Sequence, residues 1–296
     1  RKDIIKYYKT HYIPENIVVV VVGDFNKEEA KELIMKHFSK RLDTGSYGKD
    51  LASSMKKEKK TTEKIIERDV KENYLAISYR IPSVTHSDIP ALDVLSVIMG
   101  SGDSSRLNEQ LKYKKGIVTG IGTDLFIPRY DGLFLIYSTF FKDDYKVVVK
   151  EIENEFKRLR ESGIEEWELI KAKNMISSSI IYSYETAQGR AMQMGKFYTL
   201  TDRIDFVENY LKAIEKVTEK DIEAVLSKYI LGKEKNIVVL QSAKKKENPY
   251  TFKLKNNMRC VVNVNKNSPS FAFRIGFIGG LKEEPPQKNG IFNVLS

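Results

Sequence analysis

Three histidines, His11, His37 and His86, and one cysteine, Cys260, are the residues that could hold a transition metal or supply a thiolate nucleophile. Helical zinc ligation needs two histidines three or four positions apart, so that both imidazoles leave one face. No two of these histidines approach that spacing. A single cysteine can close no internal disulfide and build no multi-cysteine metal site, so a lone buried thiol is the expected state of Cys260. His37 falls on the apolar side of a helical pattern, which points to a packed, partly buried imidazole rather than a ligand. Gly100-x-Gly102 follows a helical pattern instead of a strand and lacks both a third glycine and a Gly-Lys-Ser/Thr ending, so a tight turn explains it better than a phosphate loop. No catalytic residue and no metal ligand is expected in this chain.

The formal net charge of +10 over 296 residues invites a nucleic-acid reading, which requires clustered Lys and Arg. The clusters, Lys56-Lys57-Glu58-Lys59-Lys60 and Lys244-Lys245-Lys246, lie in polar stretches between patterned segments, as solvated linker charge does. No nucleic-acid partner is expected. A membrane span needs roughly 20 apolar residues in a row, and the longest run, Ile17 to Val22, is far shorter. A soluble protein, cytoplasmic or periplasmic and open to oligomer formation, is the expectation. Any targeting segment is expected to have been removed or to lie upstream of Arg1.

The elements that would position such chemistry follow from periodicity. Ile4, Tyr7, Tyr8 and Tyr12 lie at helical spacing before Pro14, and Ile17 to Val22 reads as a strand buried on both faces, ended by Gly23-Asp24. Asn26 with Glu29 caps a helix whose apolar stripe is Ala30, Leu33, Ile34, His37 and Phe38. From Ser39 to Lys64 the periodicity vanishes, as in a linker. Leu75, Ile77, Tyr79 and Ile81 then alternate as a half-buried strand, and Asp88-x-Pro90 opens a helix with Leu92, Leu95, Ile98 and Met99 inward. Gly116 to Phe140 reads as an antiparallel hairpin turning at Pro128 to Gly132. A long helix buries Tyr145, Val148, Val149, Ile152, Phe156 and Leu159 and closes at Gly163. More helices follow, the last opened by Thr218 with Asp221, before a strand over Ile237 to Leu240.

Lys2-Asp3-Ile4, Tyr12-Ile13 and Asn16-Ile17-Val18-Val19 recur, in the same order and at a nearly constant interval, as Lys220-Asp221-Ile222, Tyr229-Ile230 and Asn236-Ile237-Val238-Val239. A helix followed by a strand thus repeats at a domain-sized distance, which predicts two similar α+β domains in tandem.

Tyr12, Pro14 and Asn16, the valine run and Gly23-Asp24-Phe25 resemble the closing part of a catalytic-type domain in pitrilysin/insulinase-like (inverzincin) zinc metallopeptidases. Ser104-Ser105-Arg106-Leu107 after Gly100 and Gly102, then Gly116 and the hairpin, look like the second, non-catalytic domain of that family, so the resemblance covers about residues 1–242. The tail, Asn257-Met258-Arg259 through Gly279-Gly280, Glu284 and Gly290, resembles the start of a further domain. The fold this implies is α+β: tandem pitrilysin-like domains, each a mostly antiparallel sheet packed by helices, with the first and third incomplete. The implied divisions are the end of a first domain at 1–40, a linker at 41–64, a complete non-catalytic domain at 65–242, and a linker with the start of a degenerate third domain at 243–296.

The family's chemistry uses H-x-x-E-H on a helix, two zinc ligands and the base for the metal-bound water, with a distal Glu completing the site. That motif does not occur here. Anchored on Gly290, the tail places Asn293 where the first His would stand and Ser296 where the Glu would stand, and neither can do that work. The resemblance therefore implies that this chain alone is inactive and that zinc belongs to its parent polypeptide. Arg190 and Tyr198 are similar to an Arg and Tyr pair with which family members hold substrate, although ordinary helix packing and surface charge explain them better. The implied function is the non-catalytic middle of a zinc metalloendopeptidase that encloses peptides, with peptide substrate and the remaining domains as partners. The competing reading is a scaffold or peptide-binding subunit of the same fold.

Overall fold

Strict alternation builds the sheet. Along β2, Asn73–Ile81, the side chains of Leu75, Ile77, Tyr79 and Ile81 are buried while Tyr74 and Ala76, out of phase with them, are exposed. The computed structural model describes residues 1–39, 60–141, 144–242, 250–264 and 270–275, in two units, Arg1–Ala243 and Lys244–Ser296. In the first unit β1 (Thr62–Arg68), β2, β3 (Gly120–Phe126), β4 (Gly132–Phe140) and β5 (Lys235–Ser242) form one sheet in the order β1-β5-β2-β4-β3. Only the β1–β5 pairing is parallel. The fold is thus α+β with a mostly antiparallel sheet, and β1 starts at Thr62, inside the stretch expected to be linker.

Helix α3, Ile89–Gly100, lies against the inner face of this sheet and is buried nearly all round, because α5 (Glu166–Ser183), α7 (Phe206–Lys216) and α8 (Glu219–Val225) cover it from the other side. Apolar residues throughout its length suit such a double-sided position. Gly100 permits the closest approach, since a Cβ there would stand 2.5 Å from the Thr123 backbone nitrogen. The long helix α4, Tyr145–Ser162, is capped by Asp144 and buries Tyr145, Val148, Ile152, Phe156 and Leu159 as its periodicity predicts, while Val149, expected with them, is half-buried. Phe134 and Phe156 meet edge to face at 6.2 Å, joining sheet to helix. Thr218 and Asp221 form the reciprocal cap of α8, which runs on into a π-helical turn, Leu226–Ile230, before β5.

Residues 1–39 depart from expectation. Helices α1 (Lys2–His11) and α2 (Lys27–Phe38) form, and Asn26 caps α2 by accepting from the Glu28 and Glu29 amides at 2.9 and 3.2 Å. Neither helix buries a residue, and His37 is exposed rather than packed. Ile17 to Val22 is extended but is not a strand: among the described residues no neighbouring strand pairs with it, and four of its six side chains are exposed. The β-branched composition favours extension, but a strand exists only where another supplies hydrogen bonds.

The second unit contributes an antiparallel hairpin, β6 (Tyr250–Lys253) and β7 (Arg259–Val262), turning through Asn257 at φ +67°. Cys260 on β7 is half-buried, not the fully buried thiol expected. Asn293 and Ser296 lie outside the described residues, as do residues 41–59 of the expected 41–64 linker.

Candidate functional site

The pairing register settles which side chains share the sheet's open face. One row crosses all five strands as Ile66, Leu240, Tyr74, Thr139 and Gly120, and the next as Lys64, Val238, Ala76, Tyr137 and Gly122. Large and very small residues therefore lie side by side. Between Tyr74 (47 % exposed) and Tyr137 (55 % exposed) they enclose a cleft of about 650 Å³ floored by Ala76, Gly120 and Leu240, with Lys112 at its rim. Gly122 is what lets Tyr137 lie down across β3, since a Cβ there would come within 2.5 Å of the tyrosine Cζ and hydroxyl.

Two contacts hold this surface. Asn108, buried at the start of a π-helical segment, Asn108–Lys114, donates from Nδ2 to the Ile121 carbonyl and to Ser105 Oγ, both at 3.0 Å, which satisfies part of the outer edge of β3. Arg106 next to it donates to both carboxylate oxygens of Glu168 at 2.7 and 2.6 Å and to the Gly163 carbonyl at 2.8 Å. Burial opposes ionisation of Glu168, but the guanidinium and the Glu165 amide outweigh it and hold the carboxyl below its usual range. The Ser104 to Leu107 segment is thus a clamp between the loop after α3 and the start of α5, not a ligand site.

The other sequence candidates are not brought together. Arg190 and Tyr198 both belong to α6, Ala187–Thr201, about 12 Å apart along its axis by helical rise. The Arg190 guanidinium donates to the Tyr184 carbonyl at 2.7 Å, fastening α6 to the end of α5.

Zinc does not fit the side chains of the described residues. Among the described residues no group of three or more His, Cys, Asp or Glu could hold a metal ion. His86 Nδ1 accepts the Asp88 amide at 3.0 Å, and His11 Nδ1 lies 2.9 Å from the Tyr7 carbonyl, so each ring is engaged locally. No nucleophile with an adjacent base occupies the cleft either. What it offers is aromatic and aliphatic contact area beside a sheet.

Sequence reasoning passed over Tyr74, Ala76, Gly120, Gly122 and Tyr137. The signal was available: the residues of β2 and β4 out of phase with the buried set must face the other way, and the Gly-Ile-Gly of β3 leaves room opposite them.

The fold is an α+β domain whose mostly antiparallel sheet keeps one face open above a cleft. A family profile described as the peptidase M16 inactive domain matches residues 1–176, and the chain belongs to that family. It is similar to the zinc protease PqqE of Helicobacter pylori, 26 % identical over 243 residues that make up 81 % of this chain and 54 % of that protein. An uncharacterized zinc protease of Mycobacterium leprae is 24 % identical over 89 % of this chain and 58 % of its own length. The crystal structure of a protease from Helicobacter pylori superposes with a TM-score of 0.72 at 26 % identity, covering 81 % of this chain and 59 % of that one. A peptidase M16 inactive domain from Pseudomonas fluorescens shares the fold at a TM-score of 0.65 and 18 % identity, over 77 % and 54 % of the two chains. The chain therefore spans little more than half the length of the curated relatives it matches. Among the described residues no helix is long and apolar enough to cross a membrane.

Proposed function

We propose that this chain is the non-catalytic part of a zinc-dependent metalloendopeptidase and that the open face of its sheet is wall and contact surface for an enclosed peptide. The cleft between Tyr74 and Tyr137 carries this reading: it is apolar, accessible and lined by two sheet aromatics in a domain of the inactive family. A peptide lying across it would place one side chain above Ala76 and Gly120, while the net charge of +10 favours acidic peptides by long-range attraction. The zinc, its ligands and the general base belong to the rest of the parent polypeptide in this reading, and residues 1–40 belong to its preceding domain. The tail from residue 243 opens a further, degenerate domain.

The test is the zinc content of the native polypeptide, captured from its source with an antibody against this chain. About one zinc per polypeptide, with peptide cleavage lost on chelation, supports the proposal. A zinc-free polypeptide that binds peptides without cleaving them would make it a scaffold or peptide-binding subunit.

A further inference from the structure

One wall of the cleft is polar, and its two side chains come from a single stretch of backbone. Asn108 and Lys112, four positions apart on the π-helical segment, both line the cleft, so close to one turn separates them and they leave the same side of the helix. Among the described residues that line the cleft, Lys112 is the only charged one, and no carboxylate stands beside it.

The Asn108 amide has a fixed orientation. The Ile121 carbonyl can only accept, so Nδ2 must face it, and the second N–H goes to Ser105 Oγ, whose own proton goes to the Gly102 carbonyl at 2.7 Å. Both donors are then spent, and Oδ1 is left as an acceptor. Among the described residues nothing donates to Oδ1, yet no buried side-chain oxygen or nitrogen lacks a partner, so Oδ1 is open to solvent although Asn108 as a whole is only 6 % exposed. The opening that Asn108 lines is the cleft. Lys112 is held loosely by comparison. Its Nζ lies 3.2 Å from the Tyr113 hydroxyl and 3.4 Å from Asp103 Oδ1, whose side chain is 80 % exposed. A close ammonium–carboxylate bond is about 2.7–2.9 Å long, so a carboxylate in the cleft can take that place without breaking a buried contact.

The wall thus presents an acceptor and a cation one turn apart beside an apolar floor. In a peptide, the C-terminal residue carries an amide N–H, a free carboxylate and a side chain on one carbon. An internal Asp or Glu spends its side chain on the charge and leaves the floor unfilled. We propose that the cleft binds the C-terminal residue of the enclosed peptide, with its amide N–H on Asn108 Oδ1, its carboxylate at Lys112 and an apolar side chain on Ala76, Gly120 and Leu240. This rests on the reading of the open face as a peptide surface. It makes Lys112 a specificity residue, one that reads the end of a chain instead of its overall charge.

Fluorescence anisotropy on the full polypeptide decides the matter, with EDTA present so that nothing is cleaved. The probes are one labelled, extended Ala/Ser peptide ending in Leu, made as the free acid, as the C-terminal amide, and as an amide with Asp before the Leu. The free acid should bind about 5-fold more tightly than the amide, and the Asp-bearing amide should stay within about 2-fold of the plain one. Lys112→Gln should bring the free acid within about 2-fold of the amide, whereas Lys112→Arg should keep the preference. Lys220→Gln removes the same charge from α8, on the helix-covered side of the sheet, and should keep it too. Equal binding of acid and amide overturns the proposal. An Asp-bearing amide that matches the free acid does so as well, since the rim would then read any carboxylate. A preference lost equally in Lys220→Gln is the mark of net charge alone and has the same consequence. Tyr137→Ala keeps the two readings apart. If it weakens acid and amide alike while Lys112→Gln does not change their ratio, the cleft takes peptide but not by its end; if it weakens neither, or if no probe binds, the peptide surface and this assignment fall together.

Discussion

The two faces of the sheet are made by the same strands and follow opposite rules. Inward, Leu75, Ile77, Phe134, Ile136 and Val239 are sealed under α3 and α4 in a continuous core. Outward, Tyr74, Ala76, Tyr137 and Val238 are no less apolar, yet they are exposed and stepped in size, with Gly120 leaving room among them. A face that only had to meet water would carry charge, and a face that only had to pack would be filled. This one leaves apolar contact area uncovered, the area to which the proposed function assigns a peptide. Apolar character alone therefore does not separate core from binding surface; what separates them is whether the small residues are filled over.

Truncations on each side of the sheet sharpen the contrast. Phe134→Ala should cost about 3–5 kcal/mol in urea denaturation, because a ring held against Phe156 leaves a cavity that the sheet and α4 cannot close. Arg106→Ala should cost about 3 kcal/mol by leaving the Glu168 carboxylate buried without its partner, and Glu168→Gln in the same chain should recover part of that loss. Asp93, on α3 and bonded to the Tyr210 hydroxyl at 2.5 Å, has its carboxyl pushed up to about 6 by burial and by the nearby charge of Asp124, against the pull of Tyr210. The folded state then holds a proton that the unfolded state has released by about pH 4. Stability should fall by about 1–2 kcal/mol as pH rises from 4 through 6, and Asp93→Asn should flatten that slope in denaturation curves taken across the window. Tyr137→Ala should change stability by less than about 1 kcal/mol and weaken the binding of an acidic, extended peptide about 5-fold in fluorescence anisotropy. If Tyr137→Ala unfolded the domain as Phe134→Ala does, the distinction between the faces would collapse.

Most of the sheet was legible because its signals are local. Leu75 to Ile81 alternate, Pro128 to Gly132 turn, Thr218 and Asp221 cap, and each does in the structure what its spacing predicts. Ile17 to Val22 misled for the opposite reason: β propensity reports how a segment would sit in a sheet, not whether a neighbouring strand is there. The cleft stayed hidden because it depends on register. Tyr74 lies opposite Thr139 and Leu240, residues far apart in the chain, and no window of sequence contains all three. Arg106 was singled out as part of a motif, but its partner Glu168 could not be chosen from among many acidic residues without the fold.

The strand that joins the two halves of the sheet is the last one made. Thr62 pairs with Asn236, so β1 has no partner in the sheet, and β2 keeps one edge open, until β5 is supplied. A nascent chain halted before Lys235 would present two unpaired edges for the whole time it takes to synthesise five helices, α4 to α8. The charged residues along β1, Glu63, Lys64, Glu67 and Arg68, suit a strand that must wait that long without joining a neighbour's sheet.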